Sequence, residues 1–200
     1  MKRIKEHNIN LNFENITLRP LTENDWKYLY KWNNDIDVLY YSEGDNVEQY
    51  LMEEIQEMYR FISQNAYCFI IEYDKHPIGE CWIQKLNLYR LIVKFPNLDC
   101  RRIDIMIGEK ENWGKGIGTK TIMLLTEYGF EKEQVDIIFG CDIADYNQRS
   151  IRAFEKVGFQ IYNAVKQRDG QKAKVCYDVI LKRDRYEYLK KQGYYRNLLI

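Results

Sequence analysis

Three glycines fall within five positions in the segment Trp113-Gly114-Lys115-Gly116-Ile117-Gly118, just ahead of the apolar run "IMLLTEYGF". Glycine loses more backbone entropy on folding than any other residue. A cluster of it therefore marks a sharp turn or a place where something approaches the backbone. A glycine turn that feeds a helix leaves free N–H groups at the helix N-terminus, and the helix dipole adds positive potential there. Such an end suits phosphate, and Lys115 and Lys120 add charge beside it. The Walker pattern needs Gly-x-x-x-x-Gly-Lys-Ser/Thr and fails, because Lys115 precedes the last two glycines. The dinucleotide pattern Gly-x-Gly-x-x-Gly fails too: its last position falls on Thr119 counted from Gly114, and on Thr121 counted from Gly116. Two readings stay open, a phosphate cradle of another class and a tight turn with nothing bound.

The flanking chain alternates strand and helix signals. "ITLRPL" reads as a strand, and Thr22 caps a helix that runs to about Trp32 with Trp26, Leu29 and Tyr30 on one face. "NNDIDVLYYSEGDN" reads as a loop or broken helix. The next helix is apolar at Val47, Leu51, Ile55, Met58 and Ile62. "YCFIIEY" and "IGECWIQKL" flank the turn "DKHP" as a hairpin. "RRIDIMIG" alternates, with Ile103, Ile105 and Ile107 on one side and Arg102, Asp104 and Met106 on the other. A helix from about Gly116 to Lys132, the strand "VDIIFGCDI", the helix "NQRSIRAFEKV" closed by Gly158, and a hairpin across "RDGQ" follow. The order predicts a mixed α/β fold, with a largely antiparallel sheet of about seven strands and about four helices. No linker or repeat appears, so residues 1–200 are expected to form a single domain, with 183–200 as a tail of short helix and loose end.

Charge and composition narrow the partners. The 30 Lys and Arg residues balance 30 Asp and Glu, so no basic excess points to nucleic acid. Two histidines, His7 and His76, leave no histidine-rich metal site, and no metal is expected. Five cysteines without Cys-x-x-Cys spacing, four of them (Cys68, Cys81, Cys141, Cys176) in apolar runs, read as reduced core residues of a cytoplasmic protein. The start "MKRIKEHNIN" lacks an apolar signal region, and no apolar run is long enough for a membrane span.

"GKGIGT" after the Asp-bearing strand "RRIDIMIGE", followed by "NQRSIRAFEKVGF", resembles the GNAT superfamily of acetyl-CoA-dependent N-acetyltransferases. The family's loop is Gln/Arg-x-x-Gly-x-Gly/Ala; Trp113 stands where Gln or Arg is usual. The resemblance implies a sheet splayed between the fourth and fifth of the expected strands, and acetyl-CoA as co-substrate. It puts the CoA diphosphate on the amides of Lys115, Gly116, Ile117, Gly118 and Thr119, and the pantetheine arm along Ile105, Met106 and Ile107. Asn147 and Arg152 are implied as further CoA contacts. Arg149 and Lys156 share the face of Arg152 by spacing, as phosphate contacts or as a solvated basic stripe.

Within the superfamily, "IDIMIGEKENWGKGIGT" and "LYKWNNDIDVLYYSEGD" are similar to the aminoglycoside 6′-N-acetyltransferases. That implies a cationic aminosugar as partner and Asp104 as general base, since a carboxylate attracts an ammonium and then accepts its proton. A solvent-facing Asp is the plain alternative for Asp104. Trp32, Tyr40, Tyr41, Glu43, Asp45, Glu80, Trp82, Asp142 and Tyr177 supply the carboxylates and rings for such a substrate, with Asp104 and Asp142 as the preferred pair. Glu109 matches the subgroup, either at the site or to shape the strand end. Phe154 stands where many relatives carry a proton-donating Tyr, so water, another Tyr or no acid at all serves the leaving thiolate. Acetylation of protein N-termini, lysines or other small amines is the rival activity. A silent acetyl-CoA sensor is the rival outside enzymes. The apolar segment Leu88–Leu98 either covers the acceptor cleft or makes a homodimer contact.

Overall fold

The computed structural model describes residues 3–42 and 49–198, and side chains through residue 196. Val47, Glu43 and Asp45 lie outside the described residues. In chain order the elements are β1 (Leu11–Phe13), β2 (Ile16–Pro20), α1 (Trp26–Trp32), α2 (Ile36–Ser42), α3 (Met52–Ser63), β3 (Ala66–Tyr73), β4 (His76–Lys85) and α4 (Tyr89–Ile92). Then come β5 (Cys100–Ile107), α5 (Ile117–Glu127) with a π-helical turn (Tyr128–Lys132), β6 (Ile137–Ala144), α6 (Gln148–Val157), β7 (Gln160–Lys166), β8 (Val175–Lys182), α7 (Arg183–Lys191) and α8 (Tyr194–Leu198). The strands form one eight-stranded sheet in the order β1-β2-β3-β4-β5-β6-β8-β7. β5 and β6 run parallel, while β1–β2, β2–β3, β6–β8 and β8–β7 are antiparallel. This is the mixed α/β, GNAT-type architecture the sequence predicts, with β1 as an added short edge strand. The parallel register covers Cys100↔Ile137 to Arg102↔Phe139, after which β5 continues to Ile107 and β6 to Ala144.

By packing, the chain divides into two compact units, Met1–Trp82 with Ile105–Ile117, and Ile83–Asp104 with Gly118–Ile200. In the first, α1 and α3 press Leu21, Leu29, Trp32, Ile55, Tyr59 and Met106 into one core. Thr22 caps the entry to α1, as the sequence indicates, and Asp25 completes the box by accepting from Thr22 N. Tyr30, expected on the apolar face of α1, is exposed, and Trp32 is buried in its place. In α3 the deep positions are Ile55 and Tyr59, whereas Leu51 is exposed at the N-cap. Cys100–Ile107 is a strand, so the sides alternate along "RRIDIMIG" as expected, but burial does not follow them: Ile103 and Met106 are buried, and Ile105 and Ile107 are half-buried. Both faces of this strand carry packing, so burial follows neighbours rather than simple in–out periodicity. In the second unit, Leu86, Leu91, Cys100, Ile137, Phe139 and Ile180 form a core. Leu91 carries the inward face of α4 within the Leu88–Leu98 segment.

All five cysteines are free thiols, three of them buried. Burial pushes the Cys100 thiol up to about 11 and raises those of Cys81, Cys141 and Cys176 as well.

Glu23 ties the N-terminal segment to α3. It accepts from Ile4 N (2.8 Å), Arg60 Nη2 (2.7 Å) and Trp26 Nε1 (3.2 Å). The Arg60 hydrogen bond, against the opposing effect of burial, lowers its carboxyl to about 2. A depressed carboxylate stabilises the fold above its unfolded pKa of about 4.3 and loses that contribution as pH falls toward the folded value. The melting temperature is therefore expected to fall between about pH 5 and pH 2, and Glu23→Gln to flatten part of that slope. Scanning calorimetry across this window checks it; an unchanged slope in the variant would remove Glu23 as a contributor.

Candidate functional site

The glycine loop is built as a helix entrance. Gly114 and Gly116 both hold φ +78°, a left-handed conformation that side chains with a Cβ adopt only at a cost. A Cβ at either would meet nothing within 4 Å, so open space, not crowding, surrounds this backbone. Gly114, Lys115 and Gly116 are exposed, Ile117 is buried, and α5 begins there with Gly118 and Thr119 in its first turn. Lys115 Nζ donates to Asn112 Oδ1 (3.1 Å). The indole of Trp113 has its own role: Nε1 donates to the Ile107 carbonyl (2.7 Å) and closes the end of β5 onto the loop. An open run of amides at the start of an eleven-residue helix is a donor set that fits a diphosphate. Asn147 caps α6, its side chain accepting from Ser150 N (3.2 Å), and Gly158 ends the helix at φ +105°. Arg149, Arg152 and Lys156 are exposed on α6.

The second unit gathers carboxylates. Asp104 on β5 accepts from Arg102 Nε (2.8 Å), from Arg102 Nη2, and from Gln84 Nε2 (3.4 Å). Its side chain is 18% exposed, so it is neither a free surface group nor a sealed one. Asp142 sits at φ +55° where the β6–β8 register shifts between Gly140 and Ile143. A bulge re-aims a side chain, and Asp tolerates the left-handed region better than most residues. The Asp142 carboxylate accepts from Arg90 Nη2 (2.7 Å), and its backbone N donates to Asp178 Oδ1 (3.2 Å). Asp178 on β8 is fully buried and accepts from Arg90 Nη2 (2.7 Å) and Asn163 Nδ2 (3.4 Å). Burial disfavours the charge on Arg102, but Asp104 more than offsets it and raises the guanidinium. Burial raises the Cys141 thiol, and Arg90 joins Asp142 to Asp178 directly. The sequence pairs Asp104 with Asp142; Asp178, Arg90, Arg102 and Gln84 were missed. An Asp inside the apolar strand "VCYDVIL" was the available signal for Asp178, the same signal that singles out Asp104.

The candidates for substrate contact differ widely in exposure. Trp32 is fully buried: it lies over Gly108, where a Cβ would meet its ring at 2.1 Å, and its Nε1 donates to Glu109 (2.8 Å). Glu80 is 3% exposed and accepts from Tyr59 Oη (3.2 Å), whose phenol is raised by burial and then by Glu80. Both side chains are packed inside the first unit. Glu109 shapes the strand end, held by Lys31 (2.6 Å) as well as Trp32. Tyr40 is 40% exposed, Tyr41 packs edge-on to Trp113 at 5.7 Å, Trp82 is half-buried beside Tyr59, and Tyr177 is half-buried opposite Ile143. Phe154 is buried, its ring filling the space above Gly140 and meeting Phe159 at 5.0 Å. Among the described residues no group of three or more His, Cys, Asp or Glu is arranged to hold a metal ion, and no helix is long and apolar enough to cross a membrane.

Comparison with known proteins gives consistent results. Residues 15–160 match the family model described as "Acetyltransferase (GNAT) domain". The aminoglycoside N(6′)-acetyltransferase type 1 of Klebsiella pneumoniae is 28% identical over 162 residues, covering 78% of this chain and 80% of the relative. The spermidine N(1)-acetyltransferase of Escherichia coli K12 is 23% identical over 148 residues, covering 73% of each. The crystal structure of aminoglycoside acetyltransferase AAC(6′)-Ib with coenzyme A and kanamycin superposes with a TM-score of 0.67 at 25% identity, over 88% of this chain and 99% of that one.

Proposed function

This chain belongs to the acetyltransferase (GNAT) domain family, an acetyl-CoA-dependent N-acetyltransferase, and on that premise we propose that it acetylates the 6′-amine of aminoglycoside antibiotics. The observation that carries the finer reading is the pair of solvent-reaching carboxylates in the second unit, Asp104 at 18% and Asp142 at 48% side-chain exposure, which can receive an ammonium. Similarity to the Klebsiella enzyme supports it.

Acetyl-CoA supplies the thioester. The amides from Lys115 to Thr119 receive its diphosphate, and the backbone at Ile105 to Ile107 receives the pantetheine arm. Asn147 and Arg152 are assigned to the cofactor by resemblance. An alkylamine with a pKa near 10 is mostly ammonium at neutral pH and cannot attack. Asp104 draws the cation in and accepts its proton, directly or through water. Arg102 and Gln84 fix the orientation of that carboxylate. The amine nitrogen then bonds to the acetyl carbon while the carbon–sulfur bond breaks. The packed ring of Phe154 donates nothing, and a thiolate of pKa about 8.5 leaves without a protein acid.

The test is free-thiol release from acetyl-CoA with kanamycin, with the acetylated position read from the product by NMR. Kanamycin-dependent release with 6′ modification supports the reading. The spermidine acetyltransferase relative favours a second one, a linear polyamine acceptor. Turnover with spermidine and none with kanamycin would replace the first reading by the second, and turnover only on peptides would overturn both.

A further inference from the structure

Three carboxylates in the second unit face two guanidiniums, so the cluster already holds most of its own neutralising charge. The two arginines are not equivalent. Arg102 is 16% exposed against an Asp104 that is 18% exposed, a tight pair on one strand. Arg90 is 34% exposed and comes from α4, and its Nη2 bridges two acids 36 positions apart at 2.7 Å each. Its two acids differ as well. Asp178 is fully buried and takes a second, longer contact from Arg90 Nε (3.4 Å), whereas Asp142 is 48% exposed and receives only Nη2. Leu91, fully buried, pins α4 in place, and the half-exposed Asp142 carboxylate can turn away from Nη2 while Arg90 stays on Asp178.

We infer that Arg90 is a built-in counter-ion which the ammonium of the acceptor replaces at Asp142, so that Arg90 sets how much positive charge the acceptor cluster takes. Asp178 keeps the arginine, because a buried carboxylate stripped of its partner is costly. Asp142 is the exchangeable acid: it faces solvent, and the exchange breaks one hydrogen bond to form another. The inference rests on the proposed reading of a cationic amine substrate. It assigns Arg90 to specificity rather than to proton transfer.

The experiment is calorimetric binding of kanamycin to the full chain in the presence of CoA, which has no acetyl group to give. Wild type, Arg90→Gln and Arg90→Lys are compared at about 20 and about 150 mM NaCl. Gln keeps a hydrogen-bond donor for Asp178 and removes the charge; Lys keeps the charge. The Gln variant is expected to bind about tenfold more tightly than wild type at low salt, the Lys variant to stay within about twofold, and the gap to shrink at the higher salt. A Gln variant that binds equally or more weakly, or Gln and Lys variants that move together, would overturn the inference. Should the Gln variant fail to fold, Asp142→Asn serves: its side chain is half-exposed, so the melting temperature should hold while kanamycin binding weakens about tenfold. Unchanged binding there would show that Arg90 never yields Asp142. A wild type that ignores kanamycin defeats the aminoglycoside reading instead, and the same variants are then read with spermidine, where the same separation is expected.

Discussion

Asp104→Asn is expected to lower kcat by about 10²–10⁴-fold while leaving the acetyl-CoA dissociation constant within about twofold, the usual size of a lost general base. Asn preserves the volume, and its one oxygen can still accept from Arg102 Nε and Gln84, while its NH2 meets the Arg102 Nη2 donor. It cannot take a proton. The variant's rate should keep climbing with pH as more of the acceptor becomes free amine, whereas wild-type turnover levels off earlier. Arg102 loses its carboxylate partner, so some thermal stability is lost too, and the kinetics belong well below the melting temperature. Steady-state rates from pH 6 to 10, with calorimetry of acetyl-CoA binding, separate the outcomes. Equal losses in kcat and cofactor affinity, or a parallel pH profile, would remove Asp104 from the proton's path.

Gly116→Val is expected to weaken acetyl-CoA binding by at least about 30-fold with only a small drop in melting temperature. A β-branched residue at φ +78° is a backbone outlier, at a cost of about 1–3 kcal/mol. The protein offers no steric objection, since nothing lies within 4 Å of the added Cβ; the methyls would instead fill the space in front of the helix amides. Gly170→Val is the control. Gly170 also has positive φ, +91°, and open surroundings, but it sits in the β7–β8 turn. It should bear comparable backbone strain and leave cofactor affinity unchanged. Equal weakening by both variants, or by neither, would show that the loop is a turn without a ligand.

How much of this was legible depended on the range of each interaction. The α6 helix was fully readable, because its Asn147 cap and Gly158 stop are local chemistry. The glycine loop was readable for the same reason, and so was the β3–β4 turn at Asp74 and Lys75, both at positive φ. β1 escaped notice because it has three residues and turns at Glu14-Asn15, where no Gly or Pro signals a reversal. Trp32 looked available because the sequence alone cannot show that Gly108 leaves a flat bed for its ring. The partnership of Arg90 with Asp178 joins residues 88 positions apart and leaves no periodic trace. Local signals thus gave the cofactor half of the reading, while the charge balance of the acceptor half emerged only when the strands were brought together.

The sheltered sulfur atoms have a practical consequence at the bench. Disulfide dyes and maleimides are attacked by the ionised form of a thiol. With Cys100 near 11 and Cys81, Cys141 and Cys176 also raised, the polypeptide contributes little colour at neutral pH, and the signal reports the coenzyme product. Heating until the sheet opens should bring all five residues into reaction at once, which makes the same reagent a gauge of unfolding.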